Sequence, residues 1–521
     1  MSSDHHGSLS LRLWLVDPGW TSLLVVNFGA GFGSSRRSRR GSASSNRRRC
    51  MPLAAPSWLN PGDTSWQITA ATLVGFMSVP GLVVLYGGVM QKRWSINSMM
   101  LTFAAFSVVL VIWVLYAYKM GFGDPFHGFS HSGTGFFGNF IGKPGPVLSH
   151  KELQGQANIP LIGSDAFPQS SLVYFQFVFA AITPILMLGS VLGRINFKAW
   201  VPFVVLWITF VYTINAFLIW GGGFFGHHGA LDFSGGYVIH LSAGVSGFVA
   251  AWVIGPRLQR DREVDAPNNL AMVAVGAGLL WIGWNGFNGG DPYAANMSAS
   301  AAVLNTNLCT AVAFLVWVGW DYLTGRKPSM IGGVNGIIVG LVAITPAAGY
   351  VNGWGAIAIG VIACTLVYFA MNYLSRVRPF RNVDDTLGVV YTHGIAGLLG
   401  GLLTGVFADP NMAVFYTTTS KKGALIATGS AAGVVHGSFT LLKWQVFAGA
   451  WVIFWSGLAT FILLKIVGIF IPLRMSQEDM EIGDVAAHGH EVYPSDIPSL
   501  GYPNGIPGLG SDSEATRTAT A

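Results

Sequence analysis

The sequence predicts an all-α polytopic membrane protein of eleven transmembrane helices, arranged as two inverted five-helix repeats plus a final helix. Composition is the first observation behind this. Of 521 residues, 52% are hydrophobic and 10% charged, where soluble domains carry about 25% charge, and the mean hydropathy is +0.52. The second is length: apolar runs of about 20 residues, enough to cross a bilayer as a helix, recur along the chain. The third is one histidine in the same ordinal span of each half, His240 and His393. The 68 glycines fit the same class, because small residues let membrane helices approach closely.

The candidate spans fall near 66–89, 98–121, 169–192, 199–219, 236–255, 269–288, 300–323, 329–350, 353–374, 388–407 and 446–472. Their orientation follows from basic residues in the short connections, which gather on the cytoplasmic side. One set of connections carries Lys92, Arg93, Arg194, Lys198, Arg257, Arg260, Arg262, Arg326, Lys327, Arg376, Arg378 and Arg381. The other holds scattered lysines such as Lys143, Lys151, Lys421 and Lys422. The first set is therefore expected inside, the N-terminus outside and the C-terminal tail in the cytoplasm.

Three segments result: an N-terminal extension over 1–57, a transmembrane domain over 58–473 and a cytoplasmic tail over 474–521. The extension holds GSSRRSRRGSASSNRRRC, a basic run on the side where basic residues should be scarce. Its apolar part is broken by Asp17, Pro18 and Gly19 and has no convincing cleavage site, so neither a span nor a signal peptide is expected there. A start at Met51, with 1–50 as a disordered extension, is preferred over a lipid-binding arm. Cys50, Cys309 and Cys364 have neither metal nor disulfide spacing.

Internal symmetry says more. The first span ends in VPGLVVLYGG and the sixth in LLWIGWNGFNGG, read as aromatic and glycine-rich outer ends. The fifth carries GGYVIHLSAG and the tenth VVYTHGIAGLLGG. An odd repeat length inserts the halves with opposite topology, and inverted repeats place a shared site near the bilayer midplane. Histidine within hydrocarbon is costly and points to function. Two histidines facing each other across that interface would line a common path; the alternative is two isolated packing residues. Asp232 lies eight residues before His240.

The stretch DFSGGYVIHLSAGVSGFVAAWVIGPR resembles the signature of the ammonium transporter family, which includes the methylammonium permeases and is related to the Rhesus proteins. The resemblance runs over roughly residues 58 to 493 and takes in FQFVFAAITPILMLGSVLGR, IWGGGFFGHHGALDFSGG, IGWNGFNGGDPYAAN and VYTHGIAG. Its style, with GGDP, is most like the fungal permeases.

The resemblance implies an outer vestibule in which Trp220 and Phe179 offer aromatic faces to ammonium and Asp291 a carboxylate, at a position that is serine in many bacterial members. A cation over such faces gains about 0.5–2 kcal/mol. It implies a pore closed by stacked Phe179 and Phe287, then twin histidines His240 and His393, with Asp232 fixing local backbone geometry. Passing an intact ammonium ion through a dry tube is heavily penalised, whereas ammonia is neutral and imidazole can relay a proton. The expected function is therefore recruitment of ammonium, deprotonation and conduction of ammonia, with net proton transfer along the histidines. An ammonium sensor or transceptor with a signalling role is the alternative.

The family further implies a homotrimer in the plasma membrane, with ammonium or methylammonium as substrate and lipid as the surrounding partner. No enzymatic activity, cofactor, metal or nucleic-acid partner is expected; no Asp or Glu sits at helical spacing to either histidine as a metal site would need. Gly193 and Gly388 stand where relatives usually carry glutamate and aspartate, which puts packing on the cytoplasmic side in question.

Overall fold

The computed structural model describes residues 55–126, 136–264, 266–412, 414–418, 425–428 and 431–493. The expectations for the basic extension and for the tail beyond Tyr493 lie outside the described residues. Among the described residues, ten helices are long and apolar enough to cross a bilayer. These are α1 (Pro61–Val89), α2 (Lys92–Phe122), α3 (Gln169–Leu188), α4 (Phe197–His227), α5 (Gly236–Ile254), α6 (Leu270–Gly289), α7 (Met297–Leu323), α9 (Gly353–Arg376), α10 (Val390–Phe407) and α11 (Thr440–Phe470). The shorter apolar helix α8 (Met330–Ile344) completes the eleven.

Most of these helices start where a polar side chain replaces the missing backbone acceptor of the first turn. Asn60 accepts from Gly62 and Asp63, with Pro61 behind it. Asn196, Asn269, Asn296, Ser329 and Asn352 cap α4, α6, α7, α8 and α9 in the same way. Three helices take their caps from further away. Asp232 serves α5 and Asp385 serves α10. The run Ser95–Ile112 within α2 has no local cap, and Asp484, far along the chain, accepts from the amides of Ile96 and Asn97 at 2.8 Å each.

Helix α8 ends earlier than its apolar run predicts. Pro346 has no N–H to continue the ladder, and the chain turns through 345–350 instead. Asn305 secures this turn by donating to the carbonyls of Ala348 and Val351 at 2.9 and 2.7 Å.

The glycine-rich ends of α1 and α6 do not both lie on the outer side, where the sequence predicts them: a Cβ on Gly88 would sit 2.7 Å from Met272 and 2.9 Å from the Asn269 carbonyl, where α6 begins. The two helices therefore run antiparallel, and the Gly87–Gly88 end of α1 lies opposite the Gly289–Gly290 end of α6. Inverted repeats require this. The halves meet at glycines of α5 and α10: a Cβ on Gly244 would come within 2.3 Å of the Gly394 nitrogen. Only glycine allows backbones so close, and the crossing brings the two histidine-bearing turns together.

Two antiparallel hairpins were not anticipated. The strand β1 (Gln156–Ile159) pairs with β2 (Gly163–Pro168), and β3 (Phe415–Thr418) with β4 (Leu425–Thr428). After α11 the chain pairs Arg474 with Ile195 and forms two short helices, α12 (Gln477–Ile482) and α13 (Asp484–His488). These lie on the arginine-rich face, where Arg93 donates to the Met480 and Glu481 carbonyls at 2.6 and 3.0 Å.

Candidate functional site

Both histidines sit in turns widened to the π pattern, Gly236–Leu241 and Val390–Ile395. Such turns are rare and mostly found as single insertions in α-helices, often at functional sites. Here each opens a helix that an aspartate caps. Asp232 Oδ1 accepts from Gly235 at 3.0 Å, and Oδ2 from Tyr237 and Val238 at 2.9 and 3.0 Å. Burial pushes this carboxyl up to about 6, while those N–H groups pull the other way. Asp385 Oδ2 accepts from Val390 at 2.9 Å. Asp385 precedes His393 by the same eight residues that separate Asp232 from His240. That spacing was available in the sequence and would have found Asp385.

The structure brings the remaining residues into one column. A cavity of about 360 Å³ is lined by Trp220, Asp232, Phe233, Asp291, Tyr293 and Tyr350 among others. The Trp220 indole donates to the Asp232 carbonyl at 2.6 Å, which fixes the ring plane. Phe179 meets Trp220 edge-on, with centroids 6.4 Å apart, and stacks on Phe287 at 4.3 Å and 22°. Phe179 and Phe287 are fully buried, and Phe179 lies directly behind Trp220 of the cavity wall. Phe175 lies 4.7 Å from Phe179 and extends the aromatic wall.

Asp291 follows the C-terminus of α6 and is 6% exposed, and among the described residues its Oδ2 has no hydrogen-bond partner. Burial and the neighbouring Asp232 push its carboxyl well above the usual range, and contact with Ser234 opposes them. The negative end of the α6 dipole points the same way as burial.

Past the phenylalanines, His240 lies 5.9 Å from Phe287 and stacks on Trp284 at 5.4 Å. The imidazoles of His240 and His393 are 5.3 Å apart and nearly parallel, and their Nδ1 atoms are 3.2 Å apart, so one donates to the other. Among the described residues, the Nε2 of His240 has no hydrogen-bond partner. Trp284, three residues before Phe287 on one helix face, was not singled out from the sequence. His393 borders a second cavity of about 290 Å³, lined also by Tyr86, Trp284, Asn335, Asp385 and Thr392.

Packing on the arginine-rich face survives without the two absent carboxylates. Gly193 and Gly388 have φ of +78° and +69°, a left-handed backbone that glycine adopts at little cost. Fully buried Arg194 donates to Gly255 at 2.7 Å and to the Thr386 hydroxyl at 2.6 Å, and Arg257 pairs with Asp384 at 2.9 Å. These bonds tie the ends of α3 and α5 to the loop before α10. Among the described residues, no group of three His, Cys, Asp or Glu side chains is placed to hold a metal ion.

Inverted halves, a shared axis between α5 and α10, and cavities at both ends of one buried column define a polytopic helical membrane protein of the transporter class. Residues 65–493 match the family model described as Ammonium Transporter Family. The chain is 49% identical over 441 residues to ammonium transporter 2 of Arabidopsis thaliana, covering 84% of this chain and 89% of that one. It is 48% identical over 442 residues to ammonium transporter 3 member 2 of Oryza sativa, covering 84% and 90%. The crystal structure of Saccharomyces cerevisiae Mep2 superposes with a TM-score of 0.68 at 29% identity, covering 81% of this chain and 89% of that chain. The chain belongs to the ammonium transporter family. The fungal likeness read from the sequence holds at the level of fold, and identity to the plant proteins is higher.

Proposed function

We propose that this chain moves ammonium across the plasma membrane by recruiting it in the cavity beside Trp220, Phe179 and Asp291 and passing it on as ammonia. The observation that carries this reading is the unbroken order of groups: outer cavity, Phe179–Phe287 stack, His240–His393 pair, inner cavity. Aromatic faces and a carboxylate favour a cation at the mouth. The dry stack below penalises charge, so the neutral form crosses. Each imidazole then offers a donor and an acceptor to ammonia, and the Nδ1 contact at 3.2 Å gives a proton a direct step between rings. A proton that follows this step makes transport electrogenic.

In this reading the arginine-rich face is cytoplasmic, the N-terminus is outside and the tail is inside. The family resemblance further supports a homotrimer in which each subunit holds its own path. The 58–473 segment is then the transporting domain, and the docked part of the tail its cytoplasmic brace.

The test is growth on low ammonium of cells that lack their own permeases, with labelled-ammonium uptake measured alongside. Rescue with saturable uptake is expected. Binding of ammonium without appreciable uptake would favour the sensor reading instead.

A further inference from the structure

We propose that Asp291 is the group that takes the proton from ammonium in the outer cavity. This rests on the reading that ammonium is recruited there and crosses as ammonia, and it supplies the acceptor which that reading lacks.

The assignment follows from which oxygens and nitrogens are free. Asp291 borders the cavity, is 6% exposed and, among the described residues, keeps Oδ2 without a partner. Asp232, the other carboxylate on the same wall, has both oxygens occupied by the amides of Gly235, Tyr237 and Val238. The Trp220 N–H is held by the Asp232 carbonyl, and the Tyr293 phenol accepts from Gln176 at 3.0 Å. Neutral phenols, here Tyr293 and Tyr350, are far weaker bases than a carboxylate. His240, the next base along the column, lies beyond the Phe179–Phe287 stack. On the approach side of the gate, Asp291 therefore presents the free basic oxygen.

The environment suits the step. Asp232 from the α4–α5 loop, Tyr212 from α4, Tyr293 from the α6–α7 loop and Tyr350 from the α8–α9 turn are the titratable groups around Asp291. None is cationic, and burial raises the basicity of the Asp291 carboxylate toward that of ammonia. In the transfer, an N–H bond of ammonium breaks, its electron pair stays on nitrogen and the proton bonds to Oδ2. A cation and an anion become ammonia and a neutral carboxylic acid, so the nitrogen enters the stack uncharged. The acid must lose its proton before the next ion reacts. The acceptor is the same whether that proton leaves inward or outward.

The experiment compares wild type, Asp291→Asn and Asp291→Glu in proteoliposomes, with KM and maximal ammonium uptake measured over a series of outer pH values. Asparagine keeps the shape but cannot hold the proton, so maximal uptake should fall by at least about tenfold, the low side of what a positioned base contributes. Glutamate should restore much of it. Wild-type maximal uptake should decline on acidification of the outer solution, since a protonated Asp291 cannot act, and Asp291→Glu should retain that limb. An asparagine variant with raised KM and a maximal rate within about twofold of wild type would overturn the acceptor role and leave recruitment intact. A wild type that takes up no ammonium would overturn both readings. If the asparagine variant does not reach the bilayer, the wild-type profile decides: maximal uptake flat across the acid range overturns the proposal.

Discussion

Replacing Asp232 by alanine should destabilise the protein more than it weakens ammonium binding. The side chain accepts three backbone N–H bonds, from Gly235, Tyr237 and Val238. Alanine strands all three donors at the start of α5, and each unsatisfied buried N–H costs about 1–3 kcal/mol. The sum is about 3–9 kcal/mol, with the low end appropriate because Asp232 borders the outer cavity and water can reach part of the gap. Against a total stability of about 5–15 kcal/mol for a typical domain, such a loss is severe. Asparagine in place of Asp232 keeps one oxygen for the Tyr237 and Val238 amides but turns an NH2 toward Gly235, so its cost should be nearer that of a single bond. Thermal unfolding of the detergent-purified protein, followed by tryptophan fluorescence and gel filtration, should rank wild type above asparagine above alanine. Uptake should fall in step, because His240 rides on the turn that Asp232 caps. An alanine variant that melts with the wild type while losing ammonium affinity would refute the capping argument and make Asp232 a direct ligand.

Other consequences can be checked separately. Leucine at Trp220 should raise the KM for ammonium several-fold, since it removes the ring face worth about 0.5–2 kcal/mol to a cation; an unchanged KM in vesicle uptake would contradict this. Alanine at Asp484 should expose the amides of Ile96 and Asn97, which limited proteolysis would register as faster cleavage between Ser476 and Tyr493; an unaltered cleavage pattern would show that the other tail contacts suffice. A chain ending after Tyr493 keeps every described tail contact, so its uptake should match the full chain, and loss of uptake would assign a role to the final residues.

The sequence made the bundle legible because each span carries its own signal, a long apolar run ended by Asn, Ser, Pro or Gly. The histidine pair was legible through the repeat, and Asp232 through its place in the signature. Asp385 carries the same eight-residue offset from His393, but it lies outside the apolar run and in no motif that the signature marks. What failed was whatever depends on distant partners or on local geometry without periodicity. The early end of α8 hangs on Pro346 within an otherwise continuous apolar run. The hairpin over 156–168 is set by backbone pairing of strands of four and six residues, and the alternation in Gln156–Ile159 is too short to stand out as a strand signal. The capping of Ile96 and Asn97 joins residues nearly 400 apart in sequence, separated by 388 and 387 positions. No local pattern announces it.

The central claim is that ammonium sheds its charge before a dry gate and crosses past two hydrogen-bonding imidazoles. It is tested most directly by recording currents from proteoliposomes given ammonium and potassium pulses, for wild type, His240→Ala, His393→Ala and the double variant. The wild type should respond to ammonium and exclude potassium. The double variant should lose the Nδ1–Nδ1 step and with it most of the ammonium current. Any residual current should discriminate less against potassium, because a widened, hydrated tube no longer selects by deprotonation. The single variants should differ from each other, since His240 adjoins the phenylalanine stack and His393 the inner cavity. A folded double variant with the ammonium current and potassium exclusion of the wild type would reduce both histidines to packing and contradict the account.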